Sequence, residues 1–175
     1  MKASLAGSIS VLALAALGGC ASPGTPPTPA ASAKLEGTKG NAVSGTVSFR
    51  QAGAKLRIEA QLTGLTPGQH GFHIHEKGDC SAPDGSSAGG HFNPLGKMHA
   101  HPEAADRHAG DLPQLSADST GKASLAVEVD VLRLGEGATD VIGRSVVVHA
   151  GADDYKSQPA GNSGARIACG VIQRS

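Results

Sequence analysis

The chain has 175 residues, of which 39% are hydrophobic and only four are aromatic (three Phe and one Tyr), and its 15 basic side chains balance 15 acidic ones. This zero formal charge argues against a nucleic-acid-binding protein, which normally carries a basic surplus, and provides no polybasic patch for anionic lipid. The 25 glycines have no three-residue period. That excludes collagen and favours a turn-rich β protein, and the length allows one domain.

Residues 1–19 are typical of a signal peptide that is removed on export. Lys2 gives a short positive start, and the apolar stretch 9–17 is too short to span a bilayer but suits a signal peptide. The stretch runs into the sequence LGGC, which ends at Cys20 and resembles a bacterial lipobox, with cleavage before Cys20 and lipidation of its thiol. The alternative is an ordinary signal peptide in which Cys20 is incidental.

Residues 20–33 are predicted to form an extended tether, because they contain four of the ten prolines, no charge and no large aliphatic side chain. The folded domain would then comprise residues 34–175. A lipid at Cys20 predicts a protein of the periplasm or cell envelope that contacts a membrane only through its anchor. Ser22 stands where an aspartate would favour retention at the inner membrane, so the outer membrane is the preferred location.

Alternation of apolar with other side chains predicts the strands of the folded part. The runs 43–49 and 56–62 flank a turn at Gly53 and indicate an antiparallel pair. Later runs occur at 123–129, 145–149 and 166–172. Because Gly-rich turns separate these runs and no helical period is sustained, we expect an all-β fold. Its form would be a Greek-key barrel or immunoglobulin-like sandwich of about eight antiparallel strands.

Two spans, 78–112 and 151–165, lack strand character and are expected to be long functional loops. If Cys20 carries lipid, Cys80 and Cys169 remain as an even pair in an oxidising compartment. A disulfide between them would close a loop of about 90 residues, for which the chain-entropy estimate is roughly 4.5 kcal/mol of stabilisation. Two buried free thiols are the alternative.

The eight histidines include two that alternate along a strand, in the sequence Gly71-Phe-His-Ile-His75. Residues two apart share one face of a strand, so His73 and His75 would stand side by side while Phe72 and Ile74 enter the core. Two adjacent imidazoles suit one metal ion, although a pair of surface histidines is the alternative. His149 ends an apolar strand and could point to the same face.

A second potential metal site lies in the first long loop. It combines three imidazoles with one carboxylate: His91, His99, His108 and Asp111. Such a set of four protein ligands suits zinc in tetrahedral geometry, and a bound metal would fix a loop that has little core of its own.

Five segments in register resemble the copper/zinc superoxide dismutase family, in its bacterial periplasmic or lipoprotein type. They are GFHIHEKGDC from Gly71, GGHFNPLGKMH from Gly89, RHAGDLPQL from Arg107, VVVHAGADD from Val146 and GNSGARIACGVI from Gly161. The resemblance covers about 43–172, which is nearly all of the expected domain. It implies an enzyme that dismutates superoxide to dioxygen and hydrogen peroxide and so protects the cell envelope.

The resemblance also implies roles for individual residues. Copper would be held by His73, His75, His91 and His149, and Zn²⁺ by His91, His99, His108 and Asp111. His91 would thus bridge the two ions as an imidazolate and exchange a proton during catalysis. Arg166 would attract and orient the substrate anion, and the disulfide would hold Arg166 in place. Asp153 would link a copper histidine to a zinc histidine, although the neighbouring Asp154 competes for this assignment.

The remaining predictions concern two further histidines, one lysine, the oligomeric state and a rival function. His70 is expected to be structural, and His101 is a minor competitor of His99 for zinc. Lys156 is a candidate for steering superoxide, because the loop 150–165 is shorter than in eukaryotic members. Both a monomer and a homodimer are open. The main rival function is a lipoprotein that stores or delivers copper without turnover, but such relatives typically lack a copper histidine or the arginine.

Overall fold

The computed structural model describes residue 1 and residues 30–175, and within 30–175 the fold is all-β. The ten strands are β1 Ala31–Gly37, β2 Ser44–Ala52, β3 Lys55–Thr63, β4 Gly68–His70, β5 Phe72–His75, β6 Leu115–Ala117, β7 Ala123–Val129, β8 Ser145–His149, β9 Arg166–Val171 and β10 Gln173–Arg174. The helical content of this part is one 3-10 turn, Ser86–Ala88. No described helix has the length and apolar character needed to cross a bilayer. The predicted signal peptide, Cys20 and most of the predicted tether lie outside the described residues.

Eight strands form one antiparallel sheet in the order β5-β8-β9-β1-β2-β3-β7, with β10 also paired to β1, and β4 pairs with β6 separately. Neighbours that are distant in sequence, such as β5 with β8 and β9 with β1, require crossover connections of the Greek-key kind. The expected all-β class with about eight antiparallel strands is confirmed.

The first strand begins three residues earlier than the predicted domain boundary. Ala31 and Ala33 are fully buried in β1 and alternate with the buried Leu35, while Ala31 lies opposite both Phe49 and Arg174. The prediction that the tether extends to residue 33 is therefore wrong at its C-terminal end. Alanine is typical of a tether, but the side chains of Ala31 and Ala33 point into the core on the same face as Leu35.

The predicted strand runs all occur as β2, β3, β7, β8 and β9. The sequence did not indicate β1, whose first residues were assigned to the tether. It also did not indicate β4, β6 or β10, because these strands have two or three residues and too few side chains to show a period. The spans 78–112 and 151–165 contain no strand, as predicted.

The core lies against the inner faces of the strands and contains Phe49, Phe72, Leu56, Ile58 and Val146. Val147 points to the other face of β8, where it packs against Ala88 and the Cys80–Cys169 pair. The two long loops cover this other face, so polar side chains on it are buried by loops and not by the sheet interior.

Candidate metal centres

β5 places two histidines on the face that the long loops cover. Phe72 and Ile74 enter the core, as alternation predicts, and His73 and His75 point to the opposite face. Both histidines are nevertheless buried, since isolated bridges join His73 to Asp111 and His75 to His91 in the first long loop. The alternative of two surface histidines is thereby excluded.

The first ligand set is formed by four buried imidazoles whose ligand atoms all lie within 4.8 Å of one another: His73, His75, His91 and His149. Three of these rings are fixed by a hydrogen bond from one nitrogen. His73 Nε2 donates to Asp153 at 2.6 Å, His75 Nδ1 to the Gly89 carbonyl at 2.9 Å, and His149 Nδ1 to the Gly164 carbonyl at 3.1 Å.

Each ring of this set also has a buried nitrogen without a hydrogen-bond partner: His73 Nδ1, His75 Nε2, His91 Nε2 and His149 Nε2. A buried polar atom without a partner costs about 1–3 kcal/mol, so four that converge on one point need a common partner. The donated protons leave these nitrogens with free lone pairs, which is the form that binds a transition metal. The residues therefore fit a copper ion.

Electrostatics favours the neutral form of these rings. Burial lowers the pKa of His73 to about 3 and that of His149 to about 4, and it places the pKa of His75 well below its usual value. Metal binding to imidazole competes with protonation. These rings are therefore free to bind metal at neutral pH without first releasing a proton.

The second ligand set surrounds one carboxylate oxygen of the first long loop. The Nδ1 atoms of His91, His99 and His108 lie 2.9, 3.0 and 3.4 Å from Asp111 Oδ1. Tetrahedral zinc with bonds of about 2.0–2.1 Å places its ligand atoms about 3.3 Å apart, which is close to these spacings. The other oxygen, Asp111 Oδ2, accepts the backbone N–H groups of Ala100 and His108 at 3.1 and 3.0 Å. The four residues fit a zinc ion.

Hydrogen bonds also stabilise the negative charge of Asp111. Burial would raise the pKa of this carboxyl, but hydrogen bonds from His108, His91 and His99 hold it well below its usual range. The carboxylate therefore remains anionic and available to a cation.

His91 belongs to both ligand sets. Its Nδ1 faces Asp111 in the second set, while its Nε2 is the unpartnered nitrogen in the first. The ring lies against that of His73, with centroids 4.0 Å apart and the two planes tilted by 33°. One imidazole thus lies between two potential metal positions, as expected of a bridge.

Asp153 links the two sets from the second long loop. Its Oδ2 accepts from His73 Nε2 at 2.6 Å, and its Oδ1 accepts from His99 Nε2 at 3.0 Å. Asp154 is exposed and instead accepts backbone N–H groups of its own loop. The linking position is therefore occupied by Asp153.

Arg166 is held by backbone carbonyls of the first long loop. Its Nη1 donates to Gly85 at 2.7 Å and its Nη2 to Gly89 at 2.6 Å. Cys80 and Cys169 form a disulfide with a Cα–Cα distance of 5.8 Å, which joins this loop to β9 three residues after Arg166. The alternative of free thiols is excluded.

The two remaining histidines lie outside both sets. His70 is buried, and its ring contacts the carbonyls of His149 and Thr66, each at 2.8 Å, which agrees with a structural role. His101 is exposed, and its ring packs edge-on against Tyr155. Lys156 is exposed in the second long loop.

Gln158 was missed by the sequence reasoning. Its side-chain amide contacts the backbone of His99, and no local motif marks a glutamine in a polar loop as a partner of a residue 59 positions away. The Gly89 carbonyl, which accepts hydrogen bonds from His75 and Arg166, was not predicted either. Every residue has a backbone carbonyl, so no sequence pattern marks this one.

A family model described as copper/zinc superoxide dismutase (SODC) matches residues 43–172. The chain is 43% identical over 143 residues to superoxide dismutase [Cu-Zn] of Deinococcus radiodurans, covering 75% of this chain and 78% of that protein. It is 44% identical over 153 residues to the copper chaperone for superoxide dismutase of Rattus norvegicus, covering 83% of this chain but only 53% of the relative. The chain thus spans about half the length of that relative.

A solved structure shares the fold. The crystal structure of the clock protein EA4 superposes with a TM-score of 0.74 at 38% identity, covering 87% of this chain and 99% of that chain.

Proposed function

Because the chain belongs to the copper/zinc superoxide dismutase family, we propose that it is an oxidoreductase that dismutates superoxide. Two superoxide anions and two protons give one dioxygen and one hydrogen peroxide. The observation that carries the proposal is the convergence of four buried, unpartnered imidazole nitrogens next to a second ligand set that shares one ring.

The two sets would hold different metals. Copper would bind the four imidazoles His73, His75, His91 and His149, and zinc the set His91, His99, His108 and Asp111. Copper supplies one-electron redox chemistry, which redox-silent zinc cannot. A site with four protein ligands also leaves no position for a catalytic water, which argues against a zinc hydrolase.

His91 is the residue that can hold a proton beside the substrate. Burial lowers the pKa of this ring, so any proton accepted at Nε2 is readily passed on. Its Nδ1, facing Asp111 at 2.9 Å, keeps the ring in place while Nε2 takes up or releases a proton. His91 thereby connects proton supply to the position where superoxide reacts.

Arg166 provides the positive charge that attracts a small anion. Burial is the main cause of the lowered pKa values of His75 and His149, and the nearby Arg166 charge lowers them further. The guanidinium therefore lies within electrostatic reach of two copper histidines. Burial lowers the pKa of Arg166, but a guanidinium is not deprotonated in proteins, so the side chain keeps its positive charge.

We also propose that the enzyme acts in the cell envelope. The sequence 1–19 would direct export, and Cys20 would carry the lipid. The Cys80–Cys169 disulfide supports export, because disulfides persist in oxidising compartments. Metabolic labelling of the parent and of the Cys20→Ser variant with a fatty acid tests the anchor. Sedimentation of the purified protein decides between a monomer and a homodimer.

The test of the activity is superoxide consumption by the copper- and zinc-loaded protein, measured by stopped flow. We expect fast turnover that His73→Ala abolishes and that Arg166→Ala reduces. His101→Ala is the matched control, because this exposed histidine lies outside both ligand sets. Equal loss in the control would show that histidine removal acts through folding.

A copper-holding protein without turnover is the second candidate, because one relative is named a copper chaperone. It predicts tight copper binding by the intact protein with no superoxide consumption. That result would replace the dismutase proposal.

A further inference from the structure

The second long loop holds His99 at two separate points. Asp153 contacts the ring at Nε2, 3.0 Å away, and five residues later the Gln158 side chain contacts the backbone of the same histidine. The His99 N–H donates to Gln158 Oε1 at 2.9 Å, and Gln158 Nε2 donates to the His99 carbonyl at 2.8 Å. The Gln158 amide therefore satisfies both polar backbone groups of His99, as a residue of a paired strand would.

This pairing matters because His99 has no strand to fix it. Residues 93–110 contain no regular element. Of the two neighbours of His99, Met98 is exposed and Ala100 is half-buried. The Ala100 N–H donates to Asp111 Oδ2, which leaves the two polar backbone groups of His99 itself to Gln158. The direction of the His99 ring toward Asp111 thus depends on a side chain from another loop.

We propose that Gln158 is a positioning residue of the zinc site, and that it makes zinc affinity depend on the packing of the loop 151–165 against His99. The inference rests on the proposed assignment of zinc to the second ligand set. Gln158 touches no ligand atom: its amide contacts the His99 backbone and, within its own loop, the Lys156 carbonyl at 3.3 Å. Its amide supplies one acceptor and one donor in the correct order, which no charged side chain can do.

The loop can close this tightly because Gly161 has no side chain. A Cβ at Gly161 would overlap the Asp153 carboxylate and crowd His99 Nε2, and the residue has φ +66°, which glycine adopts without strain. Gln114 and Tyr155 tie the same loop down further: the Asp153 N–H donates to Gln114 Oε1 and the Gln114 N–H to the Tyr155 hydroxyl, both at 3.1 Å. Gln158 is therefore presented to His99 by an anchored loop.

The experiment measures zinc affinity by competition with a chromophoric chelator in the full chain, for the parent, Gln158→Ala and Gln158→Glu. Removing groups that orient a ligand typically weakens metal binding 10–100-fold, and because Gln158 is exposed on one side we expect about 10-fold for Gln158→Ala. Gln158→Glu keeps the acceptor but turns an anionic oxygen toward the His99 carbonyl, so it should bind zinc no better than Gln158→Ala. Gln69→Ala, an exposed glutamine of β4, is the matched control and should bind as the parent does.

A second readout separates positioning from general stabilisation. Co²⁺ bound at the zinc ligands reports its geometry in the visible spectrum, and we expect altered bands in Gln158→Ala even after the site is saturated. Urea unfolding of the metal-free variants shows whether stability changes by itself. Zinc affinity within twofold of the parent, with an unchanged Co²⁺ spectrum, overturns the role of Gln158. A parent chain that binds no zinc overturns the zinc assignment and this inference together.

Discussion

Arg166 and His75 donate hydrogen bonds to the same acceptor, the carbonyl oxygen of Gly89, at 2.6 and 2.9 Å. The cation that would attract superoxide and a ring that would hold copper are thus positioned by one backbone group. Gly89 lies in the loop that the Cys80–Cys169 disulfide ties to β9. The distance between charge and metal is therefore a property of the loop and not of two independent side chains.

Replacing Arg166 by lysine should cost activity although the charge is kept. Lysine lacks the planar fork that donates to both Gly85 and Gly89, so the ammonium would not be held in one place. We expect Arg166→Lys to lower kcat/KM severalfold and Arg166→Ala by about 10-fold or more, with a weaker salt dependence in the alanine variant. Stopped-flow rates at several ionic strengths measure both. Equal rates for the lysine variant and the parent would contradict the positioning of Arg166 by the loop.

Removal of the disulfide should lower stability and loosen Arg166. The double variant Cys80→Ala/Cys169→Ala opens a loop with a sequence separation of 89 residues. A natural disulfide typically contributes about 2–5 kcal/mol, so urea unfolding should show a loss in that range. Activity at saturating metal should fall as well, and an unchanged rate would separate the disulfide from the catalytic arrangement.

Asp153→Asn should weaken metal binding while leaving the fold intact. The carboxylate accepts from both His73 Nε2 and His99 Nε2, and an amide has only one acceptor oxygen to offer. We expect affinity for copper and zinc to fall about 10- to 100-fold in chelator competition. Asp154→Asn is the matched control, one residue away and exposed, and should behave as the parent does.

Gly161→Ala should reproduce much of the Asp153→Asn defect without touching a titratable group. The added methyl overlaps the Asp153 carboxylate, so Asp153 must move away from His73 and His99. Reduced zinc affinity is expected, together with an altered Co²⁺ spectrum. Gly137→Ala, at a similar positive φ but with open space around it, controls for backbone strain alone.

The metal-free protein should be most stable near pH 6.5. Burial lowers the pKa of His73 to about 3 and of His149 to about 4, so between those values and 6.5 the unfolded chain binds protons that the folded chain does not. Stability therefore falls as the pH drops below 6.5, by roughly 2 kcal/mol per ring at pH 5.

The alkaline side of the same profile depends on His99. Burial would lower the pKa of this ring, but hydrogen bonds to Asp111 and Asp153 raise it to about 9. Its contribution is complete below pH 6.5 and is lost as the pH rises through 9. Urea unfolding at pH 5, 6.5 and 9 measures both arms, and a stability that increases steadily with pH would contradict the His99 contribution.

The parts of the site that the sequence predicted are those with side-chain chemistry. Imidazoles and a carboxylate at family spacing indicated both ligand sets, and the structure brings all seven residues together as two groups that share His91. The alternation around His73 and His75 also predicted which side of β5 they occupy.

The parts that the sequence did not predict depend on backbone or on long-range pairing. Gly89 acts through its carbonyl, and Gln158 acts through a contact with the main chain of a distant loop. Ala31 and Ala33 have small side chains that are as typical of a tether as of a buried strand, so β1 was not predicted and the start of the domain was placed at residue 34. Such features can be identified only from the three-dimensional contacts within the chain.

β1 has seven residues, and its two ends lie in different surroundings. Ala31 pairs with Arg174 near the C-terminus, while the hydroxyl of Thr38, just after the strand, donates to the Arg166 carbonyl at 2.7 Å. Seven extended residues separate these ends by about 20 Å. If the chain is anchored through Cys20, as we propose, the anchor would join the domain at the Ala31 end of β1, and Arg166 would lie near the other end. In that arrangement, an anion arriving from the solution would reach the guanidinium without passing the anchored end of the strand.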